Sequence, residues 1–138
     1  MSRPLSALLI AVTLTGCVHT RVGGRLSIET ASPAAAFAPE RCWSGAREYF
    51  YGVDLASGNS QARLRVLLDP LGGPVLKLSS GGGVRLLSGD KCSVLKVDLK
   101  PTGWRVNGVR DFSGTLSLDC EPEPGTHIQG DLSFTHCH

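Results

Sequence analysis

Apolar and polar residues alternate with a period of two through much of this chain, in short runs broken by turn formers. Ala62 to Leu68 (ARLRVLL) is the clearest case: Ala62, Leu64, Val66 and Leu68 share one side of an extended backbone, and Arg63 and Arg65 the other. That spacing predicts a strand buried on one face. Tyr49 to Leu55 (YFYGVDL) precedes it as a first predicted strand, and after the compact turn DPLGG at 69–73 the chain returns over Pro74 to Leu78. A Gly-rich turn leads to Val84 to Leu87, the turn SGDK follows, and Ser93 to Leu99 sets Leu95, Val97 and Leu99 opposite Lys96 and Asp98. The order is a meander of hairpins.

The last third repeats a pattern. Phe112 to Leu118 (FSGTLSL) and Ile128 to Phe134 (IQGDLSF) both read apolar-x-Gly-x-Leu-Ser-apolar. CEPEPG, Cys120 to Gly125, separates them and carries two prolines, which strand interiors exclude. Two sister strands joined by a hairpin account for this, since a solenoid needs at least about three copies. The predicted fold is all-β, a small antiparallel β-sandwich or barrel of about seven or eight short strands.

The first 40 residues differ. Arg3 is followed by the apolar run Leu5 to Leu14 (LSALLIAVTL), the small pair Thr15-Gly16 and Cys17. A positive start, a short apolar stretch and small residues form the layout of a secretory signal peptide. The run is about half the ~20 residues that a spanning helix needs. Leu-Thr-Gly-Cys, Leu14 to Cys17, resembles the lipobox of bacterial lipoproteins in all four positions, within a resemblance that covers residues 1 to 17. It implies cleavage after residue 16, diacylglycerol on the Cys17 thiol and acyl chains that hold the protein on a membrane stably. Val18 stands where an Asp would resemble the inner-membrane retention signal of enteric bacteria, so the implied location is the outer membrane, facing the periplasm or the cell surface. Residues 18 to 40 end in the Ala/Pro-rich ASPAAAFAPE and show no sustained period. The expected organisation is a signal peptide over 1–16, a lipidated N-terminus and flexible tether over 17–40, and a single β domain over 41–138.

Removing residues 1 to 16 leaves 122 of the 138 residues, enough for one domain with a core. It also leaves 13 of the 14 basic residues against 12 acidic ones, with no basic stripe to engage nucleic acid. Seventeen glycines and eight prolines suit a turn-rich β chain. Besides Cys17 there are Cys42, Cys92, Cys120 and Cys137; an even number in an exported protein reads as two disulfides, and no pair has C-x-x-C spacing. Four cysteines allow three pairings. If strand 93–99 lies antiparallel to strand 112–118, Cys92 meets Cys120, and Cys42 with Cys137 then ties the first strand to the last. Alternation sends Cys120 inward and Cys92 outward, so this pairing requires a bulge or a frayed end.

Candidate chemistry is sparse. His19, third from the expected mature N-terminus, occupies an amino-terminal copper position, but acylation of Cys17 would remove the amine such a site uses. His127 reads as a solvated residue beside a turn. His136-Cys137-His138 offers two imidazoles around a thiol; adjacent residues of an extended chain point oppositely and Cys137 is needed for a disulfide, so no metal or other cofactor is expected. SGGGVR at 80–85 lacks the G-K-[ST] ending of a phosphate loop, and G-x-S-x-G is absent. Asp54, near Gly52 and a Gly/Asn/Ser turn, reads as a turn former. Trp43, Arg47, Tyr49 and Tyr51 are the candidate binding surface, because exposed aromatics beside an Arg are what recognition sites use. Alternation places Tyr49 and Tyr51 on one face and Phe50 on the other.

The composition, lipobox and Cys-bounded β domain together resemble the small lipoproteins of myxobacteria and their relatives. The expected role is non-catalytic: a lipid-anchored envelope protein that supports or binds a protein or glycan partner, with the membrane reached through Cys17. The alternative is an inhibitor of a periplasmic enzyme. SGAR, Ser44 to Arg47, is similar to part of a motif in the membrane-bound inhibitors of C-type lysozyme, although that motif lies on a later strand and the companion W-x-K-G-type segment is missing.

Overall fold

The computed structural model describes residues 18–30, 34–81 and 83–138. The expected signal peptide and Cys17 lie outside the described residues. Ten strands form two antiparallel five-stranded sheets, an all-β sandwich. The first sheet has the order β2-β1-β10-β9-β8, and the second β3-β4-β5-β6-β7. Strands that are consecutive in sequence pair within each sheet, and β1 with β10 is the pairing that joins the two ends of the chain.

The second sheet follows the predicted meander. It comprises β3 Arg41–Ser44, β4 Gly52–Ala56, β5 Arg63–Asp69, β6 Gly73–Ser80 and β7 Gly83–Leu87. Leu64 and Val66 face inward with no exposure, and Arg63 and Arg65 face out. SGGGVR spans the β6–β7 hairpin, where Ser80 pairs with Gly83. Three longer strands complete the first sheet: β8 Cys92–Val106, β9 Val109–Glu123 and β10 Thr126–Cys137. The echoed segments lie on β9 and β10 as antiparallel neighbours, with Leu116 opposite Leu132. Pro122 is inside β9 where the β9–β10 register shifts, so its missing N–H falls at a ladder irregularity.

The tether requires correction. Residues 21–29 are not a linker but β1, paired along its whole length with β10, and Ala35–Phe37 form β2 against β1. The β domain therefore starts about twenty residues before the expected boundary at 41. Leu26, Ile28 and Phe37 are buried in the core and supply the side chains that hold this part of the chain down. Gly23-Gly24 made the stretch look like a linker. Gly24 has a φ of 93°, and a Cβ there would lie 2.1 Å from the Asp131 carbonyl oxygen, so the glycine is what permits β1 to approach β10. The number of strands is also higher than the seven or eight expected, because β1, β2 and β3 all lie outside the runs whose pattern predicts a strand.

Both disulfides have the expected partners, Cys42–Cys137 and Cys92–Cys120. The first ties β3 of one sheet to β10 of the other. The second joins neighbouring strands of one sheet, and the required bulge is there: Cys92 lies opposite Cys120, whereas Val94 lies opposite Asp119. An ion pair of 2.8 Å between Arg85 on β7 and Glu123 on β9 bridges the sheets at the other margin. Between the layers, Phe37, Phe112 and Phe134 are the largest fully buried side chains.

Candidate binding site

The site is built where β3 leaves the second sheet. The Ser44 hydroxyl accepts the Ala46 N–H at 3.2 Å and caps a one-turn 3-10 helix, Gly45–Glu48. Gly45 is required because a Cβ there would lie 2.5 Å from the Phe50 ring. Tyr49 ends the turn in the left-handed conformation, φ 63°. This corner replaces the start of the predicted strand 49–55, and pairing begins only at Gly52. Alternation therefore does not govern the aromatic residues. Tyr49 is 98% exposed. Tyr51 lays its ring edge-on to Phe112 at 5.1 Å, and Phe50 is covered by the Arg65 guanidinium at 4.4 Å.

Asp54 is the main departure from expectation in this region. It is not a turn former but the middle residue of β4, 3% exposed. Register explains its partners: Trp43, Asp54, Arg65 and Lys77 form one cross-strand row on the outer face. Arg65 donates to Asp54 from Nε and from a terminal nitrogen, each at 2.9 Å, and Arg63 donates to it from β5. Both guanidiniums also reach Glu48 on the helical turn, Arg63 at 2.9 Å. Hydrogen bonds from Arg65, then Arg63, hold the Glu48 carboxyl below its usual range. The bond to Asp54 is the largest cause that raises both arginines.

This network is one wall of a cleft of about 250 Å³ lined by Trp43, Ser44, Arg47, Glu48, Asp54 and Arg63. A second cleft of about 260 Å³ lies beside it, lined by Thr20, Glu40, Arg41, Cys42, Trp43, Arg47 and His138. Trp43 and Arg47 line both. Arg41 stacks over the Trp43 ring at 5.7 Å and is held by the Gly58 carbonyl at 2.8 Å. Each cleft is smaller than the ~300–1,000 Å³ of most ligand pockets. Of the four residues expected to form a binding surface, Trp43 and Arg47 come together, and Tyr49 and Tyr51 line neither cleft. Within SGAR, Ser44 is buried and spent as a cap, which leaves Arg47 as the presented side chain.

The histidines separate into three places. His19 lines a groove with Arg21 and His136. His127 contacts Asp119 at 2.6 Å and Glu29 at 3.8 Å, and the Asp119 bond raises its pKa. His136 and His138 lie on either side of the inward-pointing Cys137. Both turn to the fully buried Asp111: His136 Nδ1 is 2.8 Å and His138 Nδ1 3.6 Å from its carboxylate, and Thr102 donates to the same group at 2.5 Å. Asp111 was not anticipated, because its position in a strand pattern gives no sign that the chain end folds over it. Among the described residues no three His, Cys, Asp or Glu side chains converge to hold a metal ion, and no helix is long and apolar enough to cross a membrane.

A further feature was missed at the sequence level. Val106-Asn107-Gly108-Val109 is the turn of a β8–β9 hairpin, with Asn107 at φ 51° and Gly108 at φ 80°. Asn-Gly between β-branched residues is the strongest short hairpin signal, and it could have been read. No protein family, curated protein or solved structure matches the chain.

Proposed function

We propose that this is a lipid-anchored lipoprotein of the bacterial cell envelope, held through Cys17, whose β domain has a non-catalytic binding role toward an envelope glycan or protein. The anchor rests on Leu14 to Cys17 closing a short apolar run. The binding role rests on Trp43 and Arg47 standing between two clefts, an indole and a guanidinium offered to one elongated ligand. Thr20 lines the second cleft only three residues after Cys17, so the partner is met close to the membrane. Absence of an Asp after Cys17 favours the outer membrane.

The test is the intact mass of the membrane-extracted protein beside a Cys17→Ala variant. Loss of the signal with gain of diacylglycerol and acyl mass, and a variant released from membranes, is the expected result. An unmodified Cys17 overturns the anchor. Co-sedimentation with purified peptidoglycan sacculi and with outer-membrane vesicles, compared with Trp43→Ala and Arg47→Ala, tests the binding role. Equal retention of all three proteins on every envelope fraction overturns the assignment to these clefts. Inhibition of added lysozyme would favour the inhibitor reading instead.

A further inference from the structure

The register of the first sheet brings the chain start and the β8–β9 hairpin to one end of the sandwich. Arg21 pairs with Thr135, and the Thr20 hydroxyl donates to the His136 carbonyl at 2.8 Å. One row further, Cys137 lies opposite Phe112, which lies opposite Pro101. Here β10 ends, but β8 and β9 continue as a two-stranded projection, with Arg105 opposite Arg110 and Val106 opposite Val109. Three residues of β9 beyond Phe112 carry the hairpin about 10 Å past the sheet. Cys17 precedes Thr20 by three residues, a chain length of at most about 10–11 Å. With β9 two strands from β1 in the sheet order, the hairpin stands about 10 Å to the side of β1. The start of β1 and the hairpin tip thus lie at the same end of the sandwich.

The projection has the side chains of a membrane-interface element. Between Pro101 and Arg105 the register shifts, with four steps on β8 against two on β9, and this bulge directs Trp104 outward, 59% exposed. Val106 and Val109 lie opposite each other at the tip, each only partly buried. Arg105 and Arg110 face each other across the ladder, a like-charge pair that is unfavourable in isolation. Anionic headgroups would relieve it. Around this end the other exposed charges on the first sheet are Arg21 and Lys100, with Asp98 paired to Lys100 at 3.1 Å. Indole rings settle at headgroup level, and basic residues gain from an anionic surface.

We infer that the β8–β9 hairpin is a second membrane contact: Trp104, Val106 and Val109 enter the headgroup region of the bilayer that holds Cys17, and Arg105 and Arg110 bind lipid phosphates. This rests on the anchor reading above. It has a functional consequence, because two separate contacts orient the domain, whereas a single acyl anchor leaves it free to rotate.

The experiment uses full-length lipidated protein carrying Trp43→Phe, so that Trp104 is the one indole, reconstituted in phosphatidylethanolamine vesicles with and without phosphatidylglycerol. Quenching of Trp104 by brominated acyl chains, and protection from aqueous iodide, is expected. Full iodide access with no bromolipid quenching, in a protein whose mass shows Cys17 acylated, overturns the hairpin contact and leaves the anchor standing. A Cys17→Ser mature chain, exported and oxidised, separates the two ideas. Its partitioning onto phosphatidylglycerol vesicles should fall about five-fold for each of Arg105→Gln and Arg110→Gln, the equivalent of about 1 kcal/mol per basic residue. Unchanged partitioning in both variants also overturns the proposal, whatever the mass of Cys17.

Discussion

Asp54→Ala should destabilise the domain by about 1–2 kcal/mol, and the size follows from how unevenly the four charges of its network are buried. Asp54 keeps 4% of its side-chain exposure, while Arg63 and Arg65 keep 43% and 31%. Removing one partner of a fully buried pair costs about 3–5 kcal/mol, because the remaining charge is stranded. Here the stranded groups are the guanidiniums, which retain water and Glu48, so the cost is well below that range. Asp54→Asn should cost about as much as the alanine variant: its oxygen can accept from Arg65, but its NH2 then faces the donors of Arg63. Glu48→Gln should change stability far less than either, since Glu48 is exposed and its bonds are open to water. Urea unfolding of the oxidised protein would measure all three, with the midpoint shifting and the slope constant. Raising the salt should leave the Asp54 cost largely in place, since screening acts weakly on a buried charge. A loss under about 0.5 kcal/mol for both Asp54 variants would refute the reasoning and mean that the network does not support this face.

Gly24→Val should cost at least about 1–3 kcal/mol through left-handed backbone and collision with Asp131. Amide exchange should show β1 protected like β10 in the parent and exposed in the variant, whereas equal, fast exchange of residues 21–29 in both would restore the tether. Cys42→Ser with Cys137→Ser should remove about 4–5 kcal/mol, and the Cys92, Cys120 pair about 3–4, because the loops closed span 95 and 28 residues; chemical unfolding that ranks them in the opposite order would defeat the loop-closure account. His127 supplies a pH signature. Its pKa is raised in the folded state by Asp119, so its stabilisation is present below the ordinary histidine value near 6.5 and is lost as pH rises through the folded value. His127→Gln should therefore flatten the pH dependence of the unfolding midpoint in that window, and an unchanged profile would show that Asp119 does not hold the ring.

What the sequence determined by itself was local and periodic. Period-two alternation identified β5 and β8, the turn dipeptides set the meander from β4 to β7, and the repeated Gly-x-Leu-Ser pattern marked β9 and β10 as sisters. Cysteine parity implied two disulfides, and strand order suggested their pairing at the cost of a bulge or a frayed end, since a cross-link must satisfy the alternation of both strands at once; the structure decided for the bulge at Cys92. Tertiary structure decided the rest, for reasons no local window contains. β1 has a weak pattern and two adjacent glycines, and it becomes a strand because β10 offers a full ladder to pair with. Asp54 is buried because register, not neighbours in sequence, puts Arg65 beside it. Trp43 and Arg47 share two clefts because a buried Ser44 caps a single helical turn between them. The second cleft, which sets Thr20 and His138 beside Trp43, arises from pairings between residues far apart in the chain, and those pairings exist only once the two sheets have closed on their common core.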